Sequence, residues 1–174
     1  MNPSEPTEHE QLVVISDTNV LINLIHVSRL HLCCDLPAHA FVLPEHVYVE
    51  ITDVPQRKAL DEAIAEGYLR IHRTTDPDTI RLFGELTSRL GRGEAACLAL
   101  AVDTGWTVAS DEKGRFRAEA VDRIGNDRIL GTADLFLLAI RCGLLTVQEA
   151  DADKATLESR RFAMPFESFS ELLT

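Results

Sequence analysis

Twice the chain runs a short apolar, β-branched stretch straight into a serine and an aspartate: VVIS before Asp17 and TVAS before Asp111. Stretches this short, with no polar residue on alternate positions, describe strands buried on both faces. The first leads at once into Val20, Leu21, Leu24 and Ile25 at helical intervals, a strand feeding a helix. A second strand is expected at 40–43, stopped by Pro44, with a short extended piece at 68–72, a strand at 107–110 and a brief one at 128–130. Helices are expected near 45–53, 56–66, 77–90, 93–104, 112–123, 132–142 and 146–158. Single buried strands alternating with helices restrict the chain to an α/β fold, a mainly parallel sheet covered on both faces. Ligands of such sheets bind beyond the carboxyl ends of the strands, where strand order reverses. Asp17 and Asp111 each stand one residue beyond a strand.

The 174 residues, 45 % of them hydrophobic, suffice for one domain with a real core, placed at 12–158. Residues 1–11 contain two prolines, Glu5, Glu8 and Glu10 and no basic residue, and read as a flexible acidic tail instead of a targeting peptide. Residues 159–174 form an extension expected either to pack on the domain or to serve a dimer or partner contact. The longest strongly apolar run, 135–140, is far short of the roughly 20 residues that cross a bilayer, so a soluble protein is expected. Cys33, Cys34, Cys97 and Cys142 have no CxxC spacing and lie among apolar neighbours, which fits free thiols in a reducing cytoplasm. A formal charge of −11 argues against non-specific coating of nucleic acid, which depends on neutralising phosphates. It leaves room for an enzyme with a local basic rim.

Four carboxylates carry the chemical signal. Asp17 and Asp111 follow the strands, although Asp17 is equally suited to capping a helix. Val47, Glu50, Ile51 and Val54 share a helical face, which places Glu50 on a core-facing stripe, where it needs a cation or a buried arginine as partner. Glu94 opens the apolar run AACLALAV in the first turn of a buried helix, where it also complements the helix dipole. Glu112 reads as the start of the next helix. Asp134 is a fifth acid with a structural alternative, since Thr132 can cap the helix that it begins. Carboxylates gathered in one dry pocket repel, so the set points to a metal site. His26, His31, His39, His46 and His72 form no metal-binding spacing, and oxygen ligands suit Mg²⁺ or Mn²⁺ better than Zn²⁺.

On these residues the chain resembles the PIN-domain nucleases, and among them the toxin-like, VapC-type branch. The matching motifs are ISDTNVLINL (15–24), LPEHVYVEI (43–51), GRGEAACLALA (91–101) and VASDEKGRFRAEA (108–120), followed by ILGTADLFLLAIRCGLL (129–145). The resemblance implies a three-layer α/β/α domain with an acidic pocket at the strands' carboxyl ends. It implies metal-dependent hydrolysis of single-stranded RNA, with Asp17, Glu50, Glu94 and Asp111 as the catalytic and metal-binding quartet. It also implies a homodimer held silent by a small antitoxin. The chain departs from the family's commoner pattern in having glutamate at position 94, one methylene longer than aspartate.

The mechanism expected from these residues is in-line attack by a metal-activated water. Asp17 and Asp111 are the expected direct ligands, with Glu50 and Glu94 acting through water; Thr18, Asn19 and Ser110 supply supporting hydrogen bonds. Arg89, Arg92, Lys113, Arg115 and Arg117 flank the motifs as candidate RNA-backbone contacts, or as a solvated basic helix face. Aspartyl-phosphate chemistry is disfavoured, because position 19 is asparagine where that mechanism wants a second aspartate. The other competing expectation is a catalytically weak or inactive PIN-like binding protein.

Overall fold

The computed structural model describes residues 12–173. The acidic segment 1–11 therefore lies outside the described residues. In chain order the elements are β1 Leu12–Ser16, α1 Thr18–His26, α2 Leu32–Asp35, β2 His39–Pro44, α3 Glu45–Glu50, α4 Val54–Ala65, β3 Arg70–His72, α5 Pro77–Leu86, α6 Arg92–Thr104, β4 Thr107–Ala109, α7 Gly114–Ile124, β5 Ile129–Leu130, α8 Thr132–Arg141 and α9 Val147–Ser159. Short 3₁₀ turns lie at Asn126–Arg128 and Phe169–Leu172.

Among the described residues the strands form one five-stranded parallel sheet, in the order β3-β2-β1-β4-β5. Val14, Ile15, Val42, Leu43, Val108 and Ala109 are fully buried, as strands covered on both faces must be. Helix α6 packs against β1, β2 and β4, flanked by α3, α5 and α7, while α1, α8 and α9 meet one another. The result is a three-layer α/β/α domain. The chain builds outward from β1 through β2 to β3, then returns to β1's other side with β4. Strand order therefore reverses between β1 and β4, and Asp17 and Asp111 leave the sheet at that switch point.

Local chemistry sets the helix starts. Asp53 accepts the Gln56 amide ahead of α4, Asp76 accepts those of Asp78 and Thr79 ahead of α5, and Thr146 accepts that of Glu149 ahead of α9. The helix expected at 77–90 stops at Leu86, where the Thr87 and Ser88 hydroxyls turn back onto the carbonyls of Gly84 and Glu85 at 2.7 and 2.8 Å. Helix α7 begins at Gly114, two residues later than expected, because Asp111 and Glu112 are bonded into the site described below.

Two readings need correction. The helix expected over 45–53 ends at Glu50, since Ile51 leaves helical geometry (φ −79°, ψ 92°) and Asp53 starts a new helix. The supposed stripe therefore breaks: Val47 and Ile51 are buried, but Glu50 is exposed and Val54 is 78 % exposed. Of the four free cysteines, Cys33 and Cys97 are buried, whereas Cys34 and Cys142 are exposed despite their apolar neighbours in sequence. Among the described residues no helix is long and apolar enough to cross a membrane.

Candidate functional site

Asp17 begins where β1 ends. Its backbone N–H extends the sheet by donating to the Ala109 carbonyl at 2.9 Å, so the residue is locked to β4 before its side chain is placed. The carboxylate accepts the Thr18 amide on Oδ1 (2.7 Å) and the Ser110 hydroxyl on Oδ2 (3.0 Å). It is thus both the N-cap of α1 and a buried acid, 3 % exposed. Burial pushes its pKa up to about 6; the two hydrogen bonds oppose that rise, and the charges of Glu112 and Glu94 add to it.

Asp111 follows β4 and is gripped from the far side. Its Oδ1 accepts the Thr132 amide at 2.8 Å, and its Oδ2 accepts the Asn23 amide group at 3.0 Å together with the Thr132 hydroxyl. Burial raises its pKa, against the pull of Thr132 and Asn23. Asn19 ties the two loops together: its Oδ1 accepts the Asp111 amide (3.2 Å) and its Nδ2 donates to Glu112 (2.8 Å).

Glu50 and Glu94 come from the helix pair α3 and α6. Glu50 Oε1 accepts the Gly93 amide at 2.7 Å, and its Oε2 accepts the Thr18 hydroxyl at 2.9 Å. A Cβ on Gly93 would lie 2.4 Å from Glu50 Oε2, so glycine is what lets the glutamate reach the start of α6. Glu94 accepts the Gly91 amide at 2.8 Å in the first turn of α6. One buried atom brings three of the four together: the Cys97 thiol is held well above its ordinary pKa by burial first, then by the charges of Asp17, Glu50 and Glu94 around it. Among the described residues no ion pair joins any of the four carboxylates to a lysine, arginine or histidine, which removes the buried-arginine alternative for Glu50.

The other expected residues are distributed less evenly. Thr18 and Ser110 bond to carboxylates of the quartet, whereas Asn19 reaches only the Asp111 backbone amide and the Glu112 carboxylate. Asp134 accepts the Gly131 amide at 2.7 Å and caps α8 while adding charge near Asp111. Thr132 is not the cap of that helix: Gly131 is, because Thr132 spends its amide and hydroxyl on Asp111. Arg89 pairs with Glu119 at 2.9 Å, Arg115 donates to the Arg89 carbonyl, and Arg117 donates to Asn126. Lys113 and Arg92 make no ion pair among the described residues, and the Arg92 guanidinium stands 5.8 Å from the Phe83 ring. Sequence reasoning missed Asn23, Thr132 and the part played by Glu112. An asparagine at an apolar interval of α1 was the available sign for Asn23, which is 6 % exposed.

A family model described as a PIN domain matches residues 13–165. The chain belongs to the PIN-domain family. No curated protein and no solved structure matches the chain. PIN domains are typically metal-dependent nucleases, so membership assigns a nuclease-type, hydrolytic chemistry acting on nucleic acid, with divalent metal as its usual cofactor. The donors of this PIN domain fit a hard cation: they are carboxylate oxygens, some buried, with no counter-charge from the protein. Among the described residues no three acidic, histidine or cysteine side chains already converge as a cation cage. Each carboxylate is instead held by protein donors that leave lone pairs over; on Asp111 the less occupied oxygen is Oδ1.

Proposed function

We propose that this PIN domain is a metal-dependent endoribonuclease that hydrolyses phosphodiester bonds of single-stranded RNA, using Mg²⁺ or Mn²⁺. The observation that carries the reading is Asp17: a desolvated carboxylate with Glu50, Glu94 and Glu112 nearby and no basic partner. A divalent ion bound there would neutralise the acids, activate a water and stabilise charge on the phosphate. Asp17 and Asp111 would hold it directly, oriented by Ser110, Asn23 and Thr132. Glu50, which is exposed, and Glu94, which is half-buried, would orient the attacking water. Thr18 and Asn19 connect the two halves, Asp134 steadies Asp111 through the start of α8, and Arg92, Lys113, Arg115 and Arg117 meet the RNA backbone.

On this reading the protein is the cytoplasmic toxin of a toxin–antitoxin pair, a homodimer silenced by a small antitoxin. The nuclease unit comprises 12–158, and 159–174 completes its packing or meets a partner. The test is incubation of purified protein with single-stranded RNA, RNA duplex and single-stranded DNA in Mn²⁺, with EDTA and Asp17→Asn as controls. Cleavage of single-stranded RNA by the wild type with metal alone supports the proposal. Equal cleavage by Asp17→Asn, or none by either, rejects it.

A further inference from the structure

One helical turn from the carboxylates lies a cleft of about 270 Å³ that the quartet does not use. It opens between the carboxyl ends of β2 and β3 and the helices α3, α5 and α6. Ala96 and Ala99 line it from α6. His46 and Phe83 also line it, their rings 4.4 Å apart at 38°. His72 lines the far end, edge-on to Trp106 at 5.6 Å. Thr74 and Glu45, the latter also paired with Arg73 at 3.2 Å, add hydrogen-bonding groups to this apolar, aromatic surface. The volume falls just below the range of drug-sized sites, which suits one planar ring system.

Its connection to the acids is covalent and short. His46 precedes Glu50 by one turn of α3, and Ala96 follows Glu94 by two residues on α6. The Arg92 guanidinium stands 5.8 Å from the Phe83 ring, and Arg92 adjoins Gly93, whose amide holds Glu50. We infer that this cleft seats one unstacked base of the nucleic acid, beside the scissile phosphate, with Arg92 on the phosphate between base and acids. The inference rests on the nuclease reading above and deepens it. A chain of charge −11 draws little affinity from phosphate neutralisation. Stacking on His46 and Phe83 supplies binding that does not depend on a basic surface, and the imidazoles, Thr74 and Glu45 meet the base edge.

The test measures binding in EDTA by anisotropy of a labelled short single-stranded RNA, the matching DNA, and RNAs with one base at a time removed to leave the sugar. Wild type, Phe83→Leu and His46→Ala are compared, with circular dichroism verifying their folds. Wild type is expected to weaken roughly 5- to 100-fold when one particular base is missing. Each variant is expected to bind intact RNA with that same loss and to ignore the removal. Equal effects on DNA mean that the base alone is recognised, and smaller ones add a contact to the ribose. No binding by wild type, a flat scan, or variants that match wild type overturn the cleft. Cleavage of the same RNA in Mn²⁺ separates the two readings: cleavage with a flat scan removes the base site alone, whereas base-dependent binding without cleavage removes the nuclease alone.

Discussion

Asp17 and Asp111 stand at strand ends and are held by side chains of α1, α8 and Ser110 just beyond β4, whereas Glu50 and Glu94 ride on helices, each held by a backbone amide of the segment around Gly91 and Gly93. The strand-end acids have raised pKa values because burial opposes their charge. What separates the pairs is freedom to respond. Rigid, desolvated carboxylates favour a bound cation strongly and tolerate no displacement; the longer glutamate side chains, exposed at Glu50 and half-buried at Glu94, can adjust to water and substrate.

The hardest test of that division is Asp17→Asn. Metal-dependent cleavage should fall on the order of 10³-fold, since charge stabilisation by a held ion is worth several kcal/mol. A variant within a few-fold of wild type would remove Asp17 from the metal site and reject the proposal that rests on it.

The next effect concerns pH, measured in EDTA as the stability difference between wild type and Asp17→Asn. Folded Asp17 keeps its proton up to about pH 6, against 3.8 when unfolded. Between those values the native state binds more protons, so wild-type stability falls as pH rises from about 4 to 6 and stays low above. The asparagine variant should gain up to about 3 kcal/mol over wild type across that window, followed by urea melts. Mn²⁺ should restore stability to wild type only.

Asn23→Ala comes third. It removes a donor to Asp111 without removing a ligand and should weaken Mn²⁺ binding by roughly 10- to 100-fold in titration calorimetry. If affinity is unchanged, Thr132 alone orients Asp111.

The smallest effect compares two helical glycines. Gly84 in α5 has open space where a Cβ would go, and Gly84→Ala should stabilise by roughly 0.5–1 kcal/mol. Gly93→Ala should lose that gain and reduce cleavage, because the new methyl displaces Glu50. Matching shifts in melting temperature with cleavage intact would show that Glu50 moves aside without cost.

The strand-end half of the site was legible because a buried strand and the acid that ends it are adjacent in sequence, and the order of strands and helices followed from the same runs. The supports were not. Asn23 and Thr132 are 109 positions apart yet meet at one hydrogen bond of 3.2 Å, and both turn to Asp111. Glu50 was selected for burial that it does not have; what holds it is a glycine amide 43 positions on, which helical periodicity carries no trace of. The four-residue turns at 32–35 and 169–172 escaped because they span too little chain to show a period.

The turn at 169–172 also bears on where this module ends. Phe169 is completely buried against Phe136 and Phe166, and Asp151 of α9 receives both the Ser168 hydroxyl and the Phe169 amide. The family match stops at 165, four residues before that ring. The border of the recurring pattern and the border of the packed interior therefore differ, and a cut at the former would open the latter to water from underneath α8, the helix whose first residue grips Asp111.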